Sequence, residues 1–215
     1  MNTQIFQLFQ FKKPVEIESH PDGDEVVVFN DKTIIKMDKD AEDKDLAEIL
    51  AKAKLGENDP LLATFYFQPD MTEAESGYAT AFFNLCLPLQ SAWTYRTMRT
   101  YAPVIYVKEI AELMAMYDFM TKDKTSPVKD WRLHLSMYCI LAENPANTVN
   151  IGISYAEGTY RGTWERYINT LKELIHSPHD ALLYLLLPAA SDAPYSVKIA
   201  EGDDGFRYFE IKEVE

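Results

Sequence analysis

Cysteine occurs twice in this chain, at Cys86 and Cys139, 53 positions apart and each inside an apolar segment. That spacing speaks against a disulfide framework and for buried thiols in a reducing cytosol. Glycine is scarce as well, eight in 215 residues, and none of them builds either of the glycine-rich loops that cradle phosphate. Nucleotide hydrolysis is disfavoured accordingly. There is no Gly-x-Ser-x-Gly elbow, neither cysteine has a sequence neighbour that would lower its pKa, and the four histidines stand apart from any serine or cysteine motif. Nucleophilic catalysis therefore has no support in the sequence. No stretch reaches the roughly 18 uninterrupted apolar residues of a membrane span, and the longest apolar run, Ala181 to Ala190, covers about half of one. No basic segment follows Met1 into an apolar one, so the expectation is a cytoplasmic protein without signal or membrane anchor.

Acid is what the chain has in excess. It carries 34 acidic residues against 21 lysines and arginines, for a net charge of -13. The excess is local: 17 acids lie between Glu16 and Glu75, answered by six lysines and no arginine, whereas residues 76–200 balance. A surface of one sign steers an oppositely charged partner and raises encounter rates by roughly 10 to 1000-fold at low salt. Nucleic acid is the wrong partner for a chain of pI about 4.7, because phosphates would be repelled. With 47% hydrophobic residues, 13 Tyr, 11 Phe and 3 Trp, the chain has ample material for a folded core.

The pattern reads as α+β, mostly antiparallel sheet with three to four helices, in a single domain over residues 1–215. Ile5 to Phe11 reads as a strand, followed by Val15 and Ile17 and by a hairpin from Glu25 to Met37 around Asn30-Asp31-Lys32. Leu46, Ile49, Leu50 and Ala53 then mark a helix closed by Gly56. Leu61 to Phe67 and Gly77 to Leu87 read as strands joined by a polar loop, although a helix over Glu73 to Leu87 has the same short-range pattern. Pro88 and Pro103 bracket a short helix at Leu89 to Tyr101, and a longer one follows at Val107 to Met120. The polar segment 122–130 is the place for any sub-division. Beyond it, strands at Trp131 to Leu141 and Thr148 to Tyr155, a helix at Thr163 to His176 and a strand at Leu182 to Leu187 repeat a strand, strand, helix, strand order. Tyr195 to Ile199 pairs with Phe206 to Ile211 as a last hairpin.

Two constellations stand out. The first is the acidic run Asp38, Asp40, Glu42, Asp43, Asp45, continued by Glu48. It imitates a calcium loop but fails by position, since counting from Asp38 the sixth residue is Asp43, where glycine is required, and the twelfth is Ile49, where a glutamate should close the shell. It reads instead as a solvated helix start favoured by the helix dipole, and as the densest part of a face that binds a basic protein. His176 and His179 straddle Pro178 at a helix end, which suits a terminus better than zinc. Neither metal nor cofactor is expected.

The second constellation is a pair of Tyr/Arg segments sharing Thr-Tyr-Arg, with Tyr95, Arg96 and Arg99 in one and Tyr160, Arg161 and Arg166 in the other. Arginine beside an aromatic ring is the composition that grips anions or anchors an interface. The first function expected is therefore a non-enzymatic inhibitor that occludes a basic partner, such as a nuclease or other nucleic-acid-binding protein. Toxin-neutralising immunity proteins and phage anti-defence inhibitors share its charge and size, though no motif here matches such a family. The alternatives are a small-anion or nucleotide-binding domain, possibly enzymatic, built on the two Tyr/Arg segments, and an effector chaperone or structural subunit.

Overall fold

The computed structural model describes residues 3–20, 24–38, 40–121, 140, 177, 180, 195–202 and 206–214. The described residues form an α+β structure with five helices, one mixed three-stranded sheet and one antiparallel hairpin.

β1 (Val15–Ser19), β2 (Glu25–Val28) and β3 (Thr33–Met37) make the first sheet in the order β1-β3-β2. β3 is central: it pairs antiparallel with β2, as the turn at Asn30 to Lys32 requires, and parallel with β1. Alternation then assigns the faces. Val26, Val28, Thr33, Ile35 and Met37 are buried on one side, while Glu16, Glu25, Lys32 and Lys36 form ion pairs on the other, Lys32 to Glu16 at 2.9 Å and Lys36 to Glu25 at 2.8 Å.

The buried face packs on α2 (Asp43–Gly56), whose Leu46, Ala47, Ile49, Leu50 and Ala53 point inward. Gly56 is the last residue of this helix rather than a residue beyond it. Its missing side chain matters for contact: a Cβ there would lie 2.6 Å from Val28 Cγ2 and 2.8 Å from Ala63 Cβ. The short α3 (Pro60–Ala63) follows at once, with Asp59 accepting the Leu61 N–H at its start and proline in the first turn.

Four sequence expectations are corrected here. Ile5 to Phe11 is not a strand, because Thr3–Leu8 forms the helix α1, which buries Ile5, with Phe9 buried just beyond it; a spacing of four shares one side in helix and strand alike. Leu61 to Phe67 is α3 followed by an extended segment that makes a parallel bridge from Phe67 to Phe209. Gly77 to Leu87 is not a strand, and Leu89 to Tyr101 is not a separate helix. Both belong to α4 (Glu73–Tyr101), 29 residues long, which runs through Pro88. Its start is locked by a capping box: Thr72 Oγ1 accepts the Glu75 N–H, and the Glu75 carboxylate accepts the Thr72 N–H. α5 (Pro103–Thr121) begins on the second proline, where the missing N–H costs nothing.

α4 spans two packed regions. Its stretch from Ala79 to Trp93 carries Ala79, Phe82, Cys86, Leu89 and Trp93 against α3 and the C-terminal hairpin, β4 (Tyr195–Glu201) with β5 (Arg207–Glu213). Its second half carries Tyr95 and Met98 against α1, α2 and α5. The hairpin has the expected antiparallel register, with Val197 opposite Ile211 and Ile199 opposite Phe209. Cys86 is buried and unpaired, and burial pushes its thiol well above the ordinary cysteine range. No helix among the described residues is long and apolar enough to cross a membrane. Of the second strand, strand, helix, strand group only Ile140 is described, and it is helical; the rest, with Cys139, lies outside the described residues, as does the segment 122–130.

Candidate functional site

The acidic run sits where β3 turns into α2. Asp38, Asp40, Glu42 and Asp43 are exposed, and Asp45 and Glu48 are half-buried on the first two turns of the helix. Asp38 Oδ1 accepts the Asp40 N–H at 2.9 Å, which closes a tight turn on the acids themselves. Asp43 and Asp45 lie in the first helical turn, where unpaired N–H groups favour negative charge. Two lysines of α2 are already engaged, Lys52 with Glu48 at 2.8 Å and Lys44 with Glu42 at 3.7 Å.

Electrostatic coupling shows how far the face extends. Partial desolvation pushes the Asp24 carboxyl above its ordinary range and repulsion from Asp45 adds to it; Lys52 opposes, and Glu48 and Asp38 add lesser repulsions. On α5 the Glu109 carboxyl is raised in the same way, first by desolvation and then by Glu112, Glu48 and Asp45, with Lys44 opposing. Lys44 in turn is pushed up by Glu42, Glu109 and Asp45. Carboxylates from the start of β2, the end of β3, α2 and α5 thus share one field. Glu109 and Glu112 escape a reading by sequence because they lie outside the acidic stretch, and their only local signal is an i,i+3 spacing on one helix face.

The raised Glu109 pKa has a consequence for stability. A carboxyl whose folded pKa exceeds its unfolded value favours the fold when protonated, and that contribution is lost as pH rises through the folded pKa. Glu109→Gln is therefore expected to stabilise the protein by up to about 0.5 kcal/mol at neutral pH, discounted for solvent screening. The gain should shrink as pH falls toward 4.5, the ordinary glutamate value. Thermal melts of both proteins across that range check the sign.

Of the two Tyr/Arg segments, one is described. Tyr95 is buried, and its hydroxyl is pushed up by desolvation and then by Glu48 and Glu109. It lies beneath the acidic face, in a field of the wrong sign for an anion. Arg96 and Arg99 are half-buried near the end of α4, with Arg99 in the last turn, where a cation suits the helix dipole. Tyr160, Arg161 and Arg166 lie outside the described residues.

Next to the acidic turn is a shallow cavity of about 260 Å³. Ile17, Met37, Ala41 and Leu46 make its floor and walls, and Glu18 and Asp38 stand among its lining. It opens between β1 and the start of α2.

No protein-family model, curated protein or solved structure matches this chain.

Proposed function

We propose that the protein is a non-enzymatic binding protein whose acidic face, from Asp24 through Asp38 to Glu48 and Glu109, covers a basic surface on another protein and blocks it. The observation that carries this reading is the gathering of exposed Asp38, Asp40, Glu42 and Asp43 with half-buried Asp45 and Glu48 at the turn from β3 into α2, where Asp45 and Glu48 help raise the carboxyls of both Asp24 and Glu109. Acids held near one another repel, and a cationic partner relieves that repulsion on binding. Occlusion of a nuclease or another nucleic-acid-binding protein, as by an immunity protein or an anti-defence inhibitor, is the activity such a face suits. The buried free thiol of Cys86 suits the cytoplasm as its place of action.

Charge reversal tests this directly. Asp38→Lys combined with Asp45→Lys and Glu48→Lys is expected to weaken capture of the native partner by 100-fold or more, an effect on the order of that of electrostatic steering and pairing. Folding should survive, because these side chains are exposed or half-buried. The partner should be basic, identified by mass spectrometry after affinity purification, and its retention should fall between about 0.05 and 0.5 M salt as screening shortens the reach of the field. Undiminished capture by the triple variant would reject the proposal.

A further inference from the structure

Among the described residues, the first sheet has one edge covered and one with no paired strand. On the covered edge, Val26 O of β2 accepts hydrogen bonds from Thr64 Oγ1 at 2.8 Å and Tyr66 Oη at 3.1 Å. At the other edge is β1. Its ladder to β3 runs through the even-numbered residues: Thr33 N–H donates to Pro14 O and His20 N–H donates to Met37 O, both at 2.9 Å, in a register that pairs Ile17 with Ile35. In a parallel pair alternate residues bond inward, so the N–H and C=O groups of Val15, Ile17 and Ser19 point away from the sheet. No strand among the described residues pairs with them. Val15 and Ile17 are only half-buried and Ser19 is exposed.

The 260 Å³ cavity lies beside this edge, on the face of the sheet that carries Ile17, Met37 and Leu46. The opposite face of β1 presents Glu18 and Glu16, the latter paired with Lys32 at 2.9 Å, and Lys36, which stands opposite Glu18 in register, is turned toward Glu25 at 2.8 Å. An added strand would project alternate side chains to these two faces. One set would lie over the cavity beside Ile17, Met37, Ala41 and Leu46, which has room for an aliphatic side chain, and the other would lie along Glu16 and Glu18.

We infer that β1 receives an extended segment of the basic partner as a fourth strand of this sheet, the segment alternating apolar and basic residues. This deepens the acidic-face reading and rests on it. Main-chain hydrogen bonds along Val15 to Ser19 would supply affinity, the cavity would select an apolar side chain, and Glu18 with Asp38 would select cations around it. A second copy of this chain fits poorly, since antiparallel pairing of two β1 strands sets Glu16 and Glu18 against their own counterparts, and like charges opposite each other are destabilising.

The test uses the full chain and a synthetic peptide, Lys-Val-Lys-Leu-Lys-Val-Lys, with two copies of equal charge. One copy is N-methylated on the apolar residues' amides and the other on the internal lysines' amides. Only one set can face β1, so calorimetry should show one methylated copy weakened by about tenfold or more and the other close to the parent. Amide resonances of Val15, Ile17 and Ser19 should shift with the parent peptide. Equal binding by all three would overturn strand addition while leaving charge-driven capture intact. No binding by the parent, or equal loss by both copies, would overturn it too, and the acidic face is then judged by the charge-reversal experiment alone. A dimer of this chain that the peptide dissociates would assign the edge to a second copy instead.

Discussion

Glu57→Ala is expected to lower the unfolding free energy by about 3–5 kcal/mol, the usual cost of stripping one partner from a buried ion pair. Glu57 and Lys54 are 2% and 10% exposed and meet at 2.6 Å. The carboxylate also accepts the backbone N–H groups of Lys12 and Lys13, and the ammonium donates to Gln10 O at 2.8 Å while lying 5.5 Å from the ring centres of both Phe11 and Tyr101. Together they hold the segment after α1, where Gln10 adopts a left-handed φ of 45° that a side chain disfavours. Removing Glu57 leaves the ammonium buried between two rings without its counter-ion and takes the carboxylate acceptor from the Lys12 and Lys13 amides. Desolvation alone would raise the Glu57 carboxyl, but the bonds from Lys54, Lys12 and Lys13 outweigh it and the pKa is lowered. The sign follows: a lowered pKa stabilises the fold above the ordinary value of 4.5, and that stability is lost as pH falls through the folded value. Urea unfolding of Glu57→Ala and Glu57→Gln measures both effects, with the difference from the parent largest at neutral pH and smaller in acid. A loss below about 1 kcal/mol would mean that the pair behaves as an exposed one.

Phe209→Ala should cost about 3–5 kcal/mol for a different reason, the cavity left by a fully buried ring. Phe209 is 0% exposed, with its ring 5.1 Å from Phe82, 5.8 Å from Phe67 and 6.0 Å from Phe65. Its backbone holds the hairpin too, donating to Tyr66 O at 2.8 Å and accepting from Gln68 N–H at 3.1 Å. Two further ties flank it, Arg207 to Asp59 at 2.8 Å and the Gln68 side-chain amide to Ile211 O at 2.9 Å. The variant should therefore shift the urea midpoint and also expose the β4–β5 hairpin to limited proteolysis before global unfolding. Phe209→Leu, which refills most of the volume, should recover more than half of the loss. Equal losses in both variants would argue that ring stacking, and not volume, holds the hairpin.

These two residues also mark the boundary of what the sequence discloses. The β2–β3 hairpin, α2 and the β4–β5 hairpin are legible because their signals are local: turn residues between alternating runs, or apolar residues at i, i+3 and i+4 behind acids. α1 and α4 are misread because a short apolar run carries no decisive period. For α4 a better signal was present, since Thr72 and Glu75 have capping-box spacing. Pro88 then suggests a break, yet a proline that costs about 3 kcal/mol in a helix interior is tolerated in one packed on both halves. Nothing local links Glu57 to Lys12, or Phe209 to Phe82, across such separations in the chain.

The candidate site divides along the same line. Its charge, and the run from Asp38 to Glu48, belong to the sequence, which counts acids and places them at a helix start. Which carboxylates act together was decided by tertiary structure, because Coulomb energy depends on distance through space. The packing that brings α5 near α2 adds Glu109 and Glu112 to the face and puts Tyr95 beneath it. The parallel placement of β1 against β3 likewise puts β1, which no other strand among the described residues pairs, beside the acidic turn. A strand's own sequence does not choose its neighbours, since that choice lies in how the buried faces of sheet and helix fit together.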